Sequence, residues 1–215
     1  CDVRIKPWHN IPIFGYFLVK GRCANCRQAI SGRYPLVEVT TAILTALVIA
    51  VLGPNLQGLA GCFLLWSLVS LALIDFDTQL LPDDITMPFL WIGLVINYFG
   101  VITSFDNAFW GACVGYMILW TIFHLFKLVT GKEGMGYGDF KMLAMLGAWL
   151  GVQSVPLIII LSSFAGAAIG GTMIIFGRDK AKPIKFGPFL AVAGFIALLW
   201  GNKLIDMYLI FSFGA

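Results

Sequence analysis

Long apolar runs separated by short polar segments dominate this sequence. A helix needs about 20 mainly apolar residues to cross a bilayer, and fewer where its end residues snorkel or the bilayer thins. Runs of spanning length lie at residues 36–52, 57–74, 86–102, 106–129, 155–176 and 186–201, and a shorter run lies at 140–150. The pattern predicts an all-α, polytopic membrane protein with about seven transmembrane helices. The apolar tail 203–215 is short, and we expect an interfacial segment there.

The composition excludes an ordinary soluble domain. Hydrophobic residues make up 60% of the chain and charged residues 12%, and the mean hydropathy is +0.91. The net charge is only +3, and no interleaving of basic and aromatic residues indicates a nucleic-acid partner. We therefore expect the lipid bilayer to be the main surrounding of the chain.

The distribution of positive charge predicts an orientation. Of the 14 Lys and Arg residues, all but Lys203 lie before residue 36, around 127–141 or within 177–185. If seven helices alternate from residue 36 onward, these three segments share one side, which the positive-inside rule makes cytoplasmic. The count includes the short helix 140–150, because without it the cations of 177–185 would lie outside.

Residues 1–35 differ from the rest in being polar, basic and rich in Gly and Pro. We expect a small cytoplasmic loop here, truncated at its amino end, followed by a membrane domain at 36–215. Two thiolates at C-x-x-C spacing, as in Cys23 and Cys26, can hold one tetrahedral zinc ion. Cys1 lies upstream at about the separation of two such pairs, so Cys1, Cys23 and Cys26 are the predicted ligands. A redox pair has the same spacing, and His9 is an alternative ligand.

Two aspartates stand at the ends of apolar runs on the predicted cytoplasmic side. Asp75 ends one run, and Asp139 precedes another in Gly136-Tyr137-Gly138-Asp139. Carboxylates beside hydrocarbon are costly to ionise and therefore indicate function. Two carboxyl groups that share one proton can activate water and polarise a scissile carbonyl. The pattern favours an aspartyl protease at a bilayer, in which Gly136 and Gly138 would let a substrate backbone approach closely.

Other acids compete for these roles. On a continuous helix Asp77 points about 200° away from Asp75, so Asp75 is the favoured partner of Asp139. Asp83 follows Pro82, and it or Asp84 is a candidate N-cap for helix 86–102. Asp83 is also a candidate for binding a basic substrate. For Glu38, a functional and a merely interfacial role both stay open.

Several segments together resemble the type IV prepilin peptidases. They are residues 8–12, 33–38, 74–83 and 131–141, the last holding the Gly-x-Gly-Asp motif. The resemblance implies a bifunctional enzyme of the bacterial inner membrane. Such an enzyme cuts the basic leader of type IV prepilins and type II secretion pseudopilins after a glycine, on the cytoplasmic side. It then methylates the new amino terminus with S-adenosylmethionine.

Matched motif by motif, the resemblance makes Asp75 and Asp139 the catalytic pair, with no metal needed for proteolysis. It makes Cys23 and Cys26 one zinc knuckle and Cys1 the last cysteine of another. This chain lacks the other cysteine of that knuckle and the family's first transmembrane helix. The methyl-donor site has no local signature, so methylation rests on the resemblance alone.

Two rival functions stay open at this point. A cleavage-only, preflagellin-type peptidase would use the same aspartates, although such relatives generally lack the extended amino-terminal loop. A cation or proton transporter would also keep intramembrane aspartates. The clustering of the acids at one face and the absence of charge from the helix middles argue against a transporter.

Overall fold

The computed structural model describes residues 4–131, 135–175 and 185–213. Within these ranges the chain is helical, with one isolated bridge between Arg22 and Ala29 and no strand. A 3-10 turn at Pro7–Asn10 precedes eight α-helices. They are α1 (Phe14–Leu18), α2 (Arg33–Leu52), α3 (Leu56–Thr78), α4 (Asp83–Tyr98), α5 (Phe105–Thr130), α6 (Tyr137–Leu150), α7 (Ser154–Ile175) and α8 (Gly187–Phe213).

Helices α2 to α8 correspond to the seven apolar runs. Five of the described helices, α2, α3, α5, α7 and α8, are long and apolar enough to cross a membrane. The prediction of an all-α, multi-pass membrane protein is therefore confirmed. Helices α4 and α6 have 16 and 14 residues, so the count of seven spans stays a prediction. Helix α8 continues through the apolar tail to Phe213, and the interfacial position of the tail stays a prediction.

Local side-chain chemistry sets several helix ends. Asn55 caps α3 by accepting a hydrogen bond from the Gly58 amide at 2.9 Å. At α4 the cap is Pro82, so the expected capping role of Asp83 or Asp84 was wrong. Both acids lie instead in the first turn of α4, where negative charge is favourable beside the positive end of the helix dipole.

Helix α6 lies at the centre of the bundle and packs against α4, α5 and α8. Its large, fully buried side chains form much of the core, and they are Phe140, Met142, Leu143, Met145, Leu146 and Trp149. Helix α2 is the opposite case, because only 6% of its most apolar stretch of residues is buried inside the bundle. An apolar and mostly exposed helix of 20 residues suits a lipid-facing position.

Helices α5 and α6 approach to backbone contact through two glycines. A β-carbon on Gly147 would lie 2.1 Å from the Gly111 carbonyl oxygen, and one on Gly111 would lie 2.3 Å from the Gly147 oxygen. Small residues permit such close packing in membrane helix bundles. This contact fixes the position of α6, and therefore of Asp139 at its amino end.

The buried side chain of Asn97 ties the carboxyl ends of α4 and α6 together. Its amide donates to the carbonyls of Ala148 and Trp149, and its oxygen accepts from the amides of Ile102 and Thr103. A buried polar group with all its hydrogen bonds made specifies a unique arrangement. The network is at the far end of α6 from Asp139.

Candidate active site

Asp75 lies in the last turn of α3 and is 5% exposed. The helix ends just beyond it, at Gln79, whose backbone is left-handed with φ 58°. Oxygen Oδ2 of Asp75 accepts a hydrogen bond from the backbone amide of Gly187 at 3.1 Å. A carboxyl group is therefore held inside the bundle by the first residue of α8.

Asp139 lies in the first turn of α6 and is 6% exposed. Its Oδ2 accepts a hydrogen bond from the amide of Gly136 at 3.2 Å, which occupies one of the unpaired amides at the start of the helix. The charge of Asp75 acts on the Asp139 carboxyl group. The two predicted aspartates thus lie together in the fold.

The two glycines before Asp139 have different surroundings. A β-carbon on Gly138 would lie 2.7 Å from the β-carbon of Leu81, so the loop after α3 packs directly on the start of α6. A β-carbon on Gly136 would meet only Oδ2 of Asp139, at 3.8 Å, among side-chain atoms. Close packing accounts for Gly138, whereas among the described residues the space beside Gly136 is open toward the carboxyl group.

Ion pairs surround the two buried aspartates. Arg33, at the start of α2, pairs with Asp77 at 2.8 Å. Lys141 of α6 pairs with Asp83 of α4, with Nζ 2.6 Å from Oδ2. The ends of five helices therefore meet at this face of the bundle: the starts of α2, α4, α6 and α8 and the end of α3.

Glu38 has a structural contact. Its Oε2 accepts a hydrogen bond from the amide of Ile13 at 2.6 Å, and Ile13 has a φ of 66°. A positive φ is costly for a β-branched residue, so a strong partner is needed to hold it. The bond fastens the amino-terminal segment to α2.

Cys23 and Cys26 lie in a tight turn flanked by the bridge between Arg22 and Ala29. The Cys23 amide donates to the Gln28 carbonyl, and the Arg27 amide donates to the Cys23 carbonyl, both at 2.9 Å. Both residues are thiols. Hydrogen bonds from the backbone of Cys26 and then of Asn25 lower the pKa of the Cys23 thiol, which favours the thiolate that metals bind.

The described residues supply no cluster of three His, Cys, Asp or Glu side chains able to hold a metal ion. Cys23 and Cys26 fit two positions of a tetrahedral site, and the predicted ligand Cys1 lies outside the described residues. His9 lines a cavity of about 700 Å³ together with both cysteines and Glu38. Aromatic and cationic side chains also line this cavity, including Tyr16, Tyr34, Arg4 and Lys6.

Sequence reasoning missed the partners of the acids. The turn at Gly187 and Pro188 indicates a helix start, but nothing local places it against Asp75, 112 positions earlier. The positive charges of Arg33, Lys141 and Lys185 indicate orientation, and only the fold pairs two of them with Asp77 and Asp83.

Known proteins resemble this chain over nearly its whole length. A family model described as "Type IV leader peptidase family" matches residues 62–171, and one described as "Bacterial Peptidase A24 N-terminal domain" matches residues 1–52.

A Pseudomonas aeruginosa protein is 52% identical over 213 residues, covering 99% of this chain and 73% of that protein. A Stutzerimonas stutzeri protein is 50% identical over 213 residues, covering 99% and 74%. An Aeromonas hydrophila protein is 49% identical over 210 residues, covering 97% and 72%. All three are named prepilin leader peptidase/N-methyltransferase. No solved structure matches the chain.

Proposed function

The chain belongs to the type IV leader peptidase family, and from this premise we propose that it is a prepilin leader peptidase with N-methyltransferase activity. It cleaves the basic leader of type IV prepilins after a glycine and then methylates the new amino terminus. The observation that carries the proteolytic half is that two buried aspartates, Asp75 at the end of α3 and Asp139 at the start of α6, lie at the same end of the bundle. Pseudopilins of type II secretion are further substrates in this proposal.

Asp75 and Asp139 act as a pair that shares one proton, because two adjacent carboxylates cannot both ionise cheaply. The ionised carboxylate takes a proton from water, whose oxygen attacks the carbonyl carbon of the scissile bond. The protonated carboxyl group donates a hydrogen bond to the carbonyl oxygen. When the bond breaks, the leaving amine receives a proton from the pair.

Acids at the rim of the site bind the basic leader. Asp83 has a half-exposed side chain, at 57%, and already holds Lys141. A leader cation competes with Lys141 for this carboxylate, and Coulombic attraction draws the leader toward the face that bears it. The open side of Gly136 lets the substrate backbone reach Asp139.

The site faces the cytoplasm from the bacterial inner membrane. Arg33, Lys141 and Lys185 lie around the aspartates, whereas Lys203 lies near Leu52 and Gln57 at the opposite end of α2 and α3. The side richer in Lys and Arg is cytoplasmic by the positive-inside rule. The extramembrane loop 1–35 and the membrane domain 36–215 are then the two parts of the enzyme, with lipid around the second.

The cavity of about 700 Å³ in the amino-terminal segment is the proposed site of the methyl donor. Its volume suits a nucleoside-sized ligand. Tyr16 and Tyr34 offer aromatic faces, and Arg4 and Lys6 offer cations for a carboxylate. S-adenosylmethionine, when bound, supplies an electrophilic methyl group to the new amine.

Zinc has a structural part in this proposal. Cys23 and Cys26 hold one ion through their thiolates, and Cys1 is a further ligand. A four-coordinate zinc site stabilises a small loop that has little apolar core of its own.

Intact mass spectrometry of a prepilin tests the function. The protein in liposomes is incubated with a prepilin, with and without S-adenosylmethionine. Loss of the leader, followed by the gain of one methyl group only when the donor is present, is the expected result. Cleavage without methylation would leave a cleavage-only peptidase, and intact prepilin would overturn the proposal.

A further inference from the structure

We propose that Gly187 is a positioning residue for proteolysis, whose backbone amide holds the carboxyl group of Asp75 in the orientation that the reaction needs. This inference rests on the proposed function, because it assigns a part in the same aspartyl site. Gly187 lies outside segments 74–83 and 131–141, the two family motifs that contain the aspartates.

Contact between Gly187 and Asp75 is direct and buried. The Gly187 amide lies 3.1 Å from Oδ2 of Asp75 and is the donor. A β-carbon on residue 187 would lie 2.7 Å from Oδ2, 3.0 Å from Cγ and 3.2 Å from Cβ of Asp75. No larger residue fits beside the carboxyl group without displacing it.

Position 187 is also the first residue of α8. The amides in the first turn of a helix have no acceptor within the helix, and a carboxylate is a favourable partner for them. Hydrogen bonds from an N–H to a carboxylate are stronger than neutral ones. The Gly187 amide can therefore donate a hydrogen bond to Asp75 without breaking any hydrogen bond within α8.

Lys185 also fastens the same segment to α3. Its ammonium group donates to the carbonyl of Phe76 and lies 5.0 Å from the centroid of the Phe76 ring. The start of α8 is thus fixed to α3 by contacts with two successive residues, Asp75 and Phe76. This double attachment holds the start of α8, and with it the Gly187 amide, against the end of α3.

An added methyl group at position 187 should damage catalysis more than folding. The two nearest atoms, Oδ2 and Cγ of Asp75, can rotate away from the added methyl group. The Asp75 β-carbon, at 3.2 Å, requires a shift of only a few tenths of an ångström. Rotation breaks the hydrogen bond and moves the carboxyl group off the geometry of attack. A displacement of about 1 Å can cost about 100-fold in rate.

The test compares Gly187→Ala with Gly201→Ala, which adds the same methyl group to the same helix. A β-carbon on Gly201 meets no atom closer than 3.7 Å. We expect Gly187→Ala to lower kcat for leader cleavage about 10- to 100-fold while KM stays within about threefold. Gly201→Ala should behave as wild type, and both variants should still methylate a pilin peptide that begins at the mature amino terminus. A wild-type kcat, or a rise in KM alone, for Gly187→Ala would overturn the inference.

A second variant guards against a folding defect in Gly187→Ala. Cell-free translation into liposomes with glycolic acid at position 187 replaces the amide N–H by an ester oxygen and adds no atom that could clash. The expected result is again a fall in kcat of about tenfold or more, the effect of losing one hydrogen bond to a charged group. A wild-type kcat in the ester variant would overturn the inference.

The same assays separate this inference from the proposed function. Suppose that the wild-type protein cleaves the prepilin, that Asp75→Asn abolishes this cleavage, and that both position-187 variants keep full activity. This result would overturn the inference alone. A wild-type protein that leaves prepilin intact would overturn the proposed function and this inference with it.

Discussion

Arg33 at the start of α2 and Asp77 at the end of α3 form an ion pair with Nη1 2.8 Å from Oδ1. Asp77 is only two positions after Asp75, yet its side chain turns outward to Arg33 while that of Asp75 turns into the bundle. The pair thus explains how two neighbouring acids on one helix have different tasks. It also joins α2, and the amino-terminal segment before it, to the helix that carries the proposed catalytic Asp75.

Asp77→Asn should keep leader cleavage within about fivefold of wild type, because exposed ion pairs contribute little. Both side chains are nearly half exposed, at 45% and 47%, so added salt should mask even this effect. Steady-state cleavage at low and high ionic strength measures it. Loss of cleavage as complete as that of Asp75→Asn would mean that Asp77 belongs to the catalytic pair.

Gly138→Ala should lower the rate of cleavage about 100-fold. The new β-carbon would lie 2.7 Å from that of Leu81, and an atom so near the backbone cannot rotate away. The start of α6 must then shift from the loop after α3, and Asp139 moves with it. Adding Leu81→Gly removes the clashing atom and should restore part of the rate. Equal activity of Gly138→Ala and wild type would contradict this packing.

Gly147→Ala should lower the free energy of unfolding of the bundle by about 1–3 kcal/mol or more, because this is the usual cost of overpacking a core. Its β-carbon would lie 2.1 Å from the Gly111 carbonyl oxygen, so α5 and α6 must separate. Gly171→Ala is the matched control, because no atom of the described part of the chain lies within 4 Å of a β-carbon there. The Tm of each purified variant in one detergent is the measurement. A Tm for Gly147→Ala no lower than that of the control would refute the close contact.

Zinc should be present in the purified protein and should be lost from Cys23→Ser and Cys26→Ser. Thiolates are the ligands, so zinc should also be released as the pH falls and the sulfurs take up protons. Elemental analysis by mass spectrometry measures the metal content. Cys113→Ser, in α5, is the control and should keep its zinc. Equal zinc in all three variants, or none in the wild type, would remove the two cysteines from a metal site.

The sequence predicts the helices well because an apolar run of spanning length is a strong and local signal. Boundaries were less accurate: α4 begins at Asp83, three residues before the predicted start at 86, because the Pro82 carbonyl already accepts hydrogen bonds from the amides of Ile85 and Thr86. Asp75 and Asp139 were predictable as a pair, since each carboxyl group stands beside an apolar run. Their meeting in the fold is consistent with that prediction, and their catalytic role stays a proposal.

Contacts between distant segments were beyond sequence reasoning. Gly187 and Asp75 are 112 positions apart. A single sequence does not show which helix end lies beside which carboxyl group. The approach of Gly111 to Gly147 likewise depends on how α5 and α6 pack. Local patterns specify elements, whereas these contacts arise only when the elements assemble.

The most direct test of the proposed aspartyl mechanism measures two activities of Asp75→Asn and Asp139→Asn in liposomes. One is leader cleavage of a prepilin, and the other is methylation of a pilin peptide that already begins at the mature amino terminus. Each variant should lose at least about 1,000-fold in cleavage, the double variant should lose little more, and methylation should persist. Cleavage within tenfold of wild type by either single variant would contradict the shared-proton mechanism.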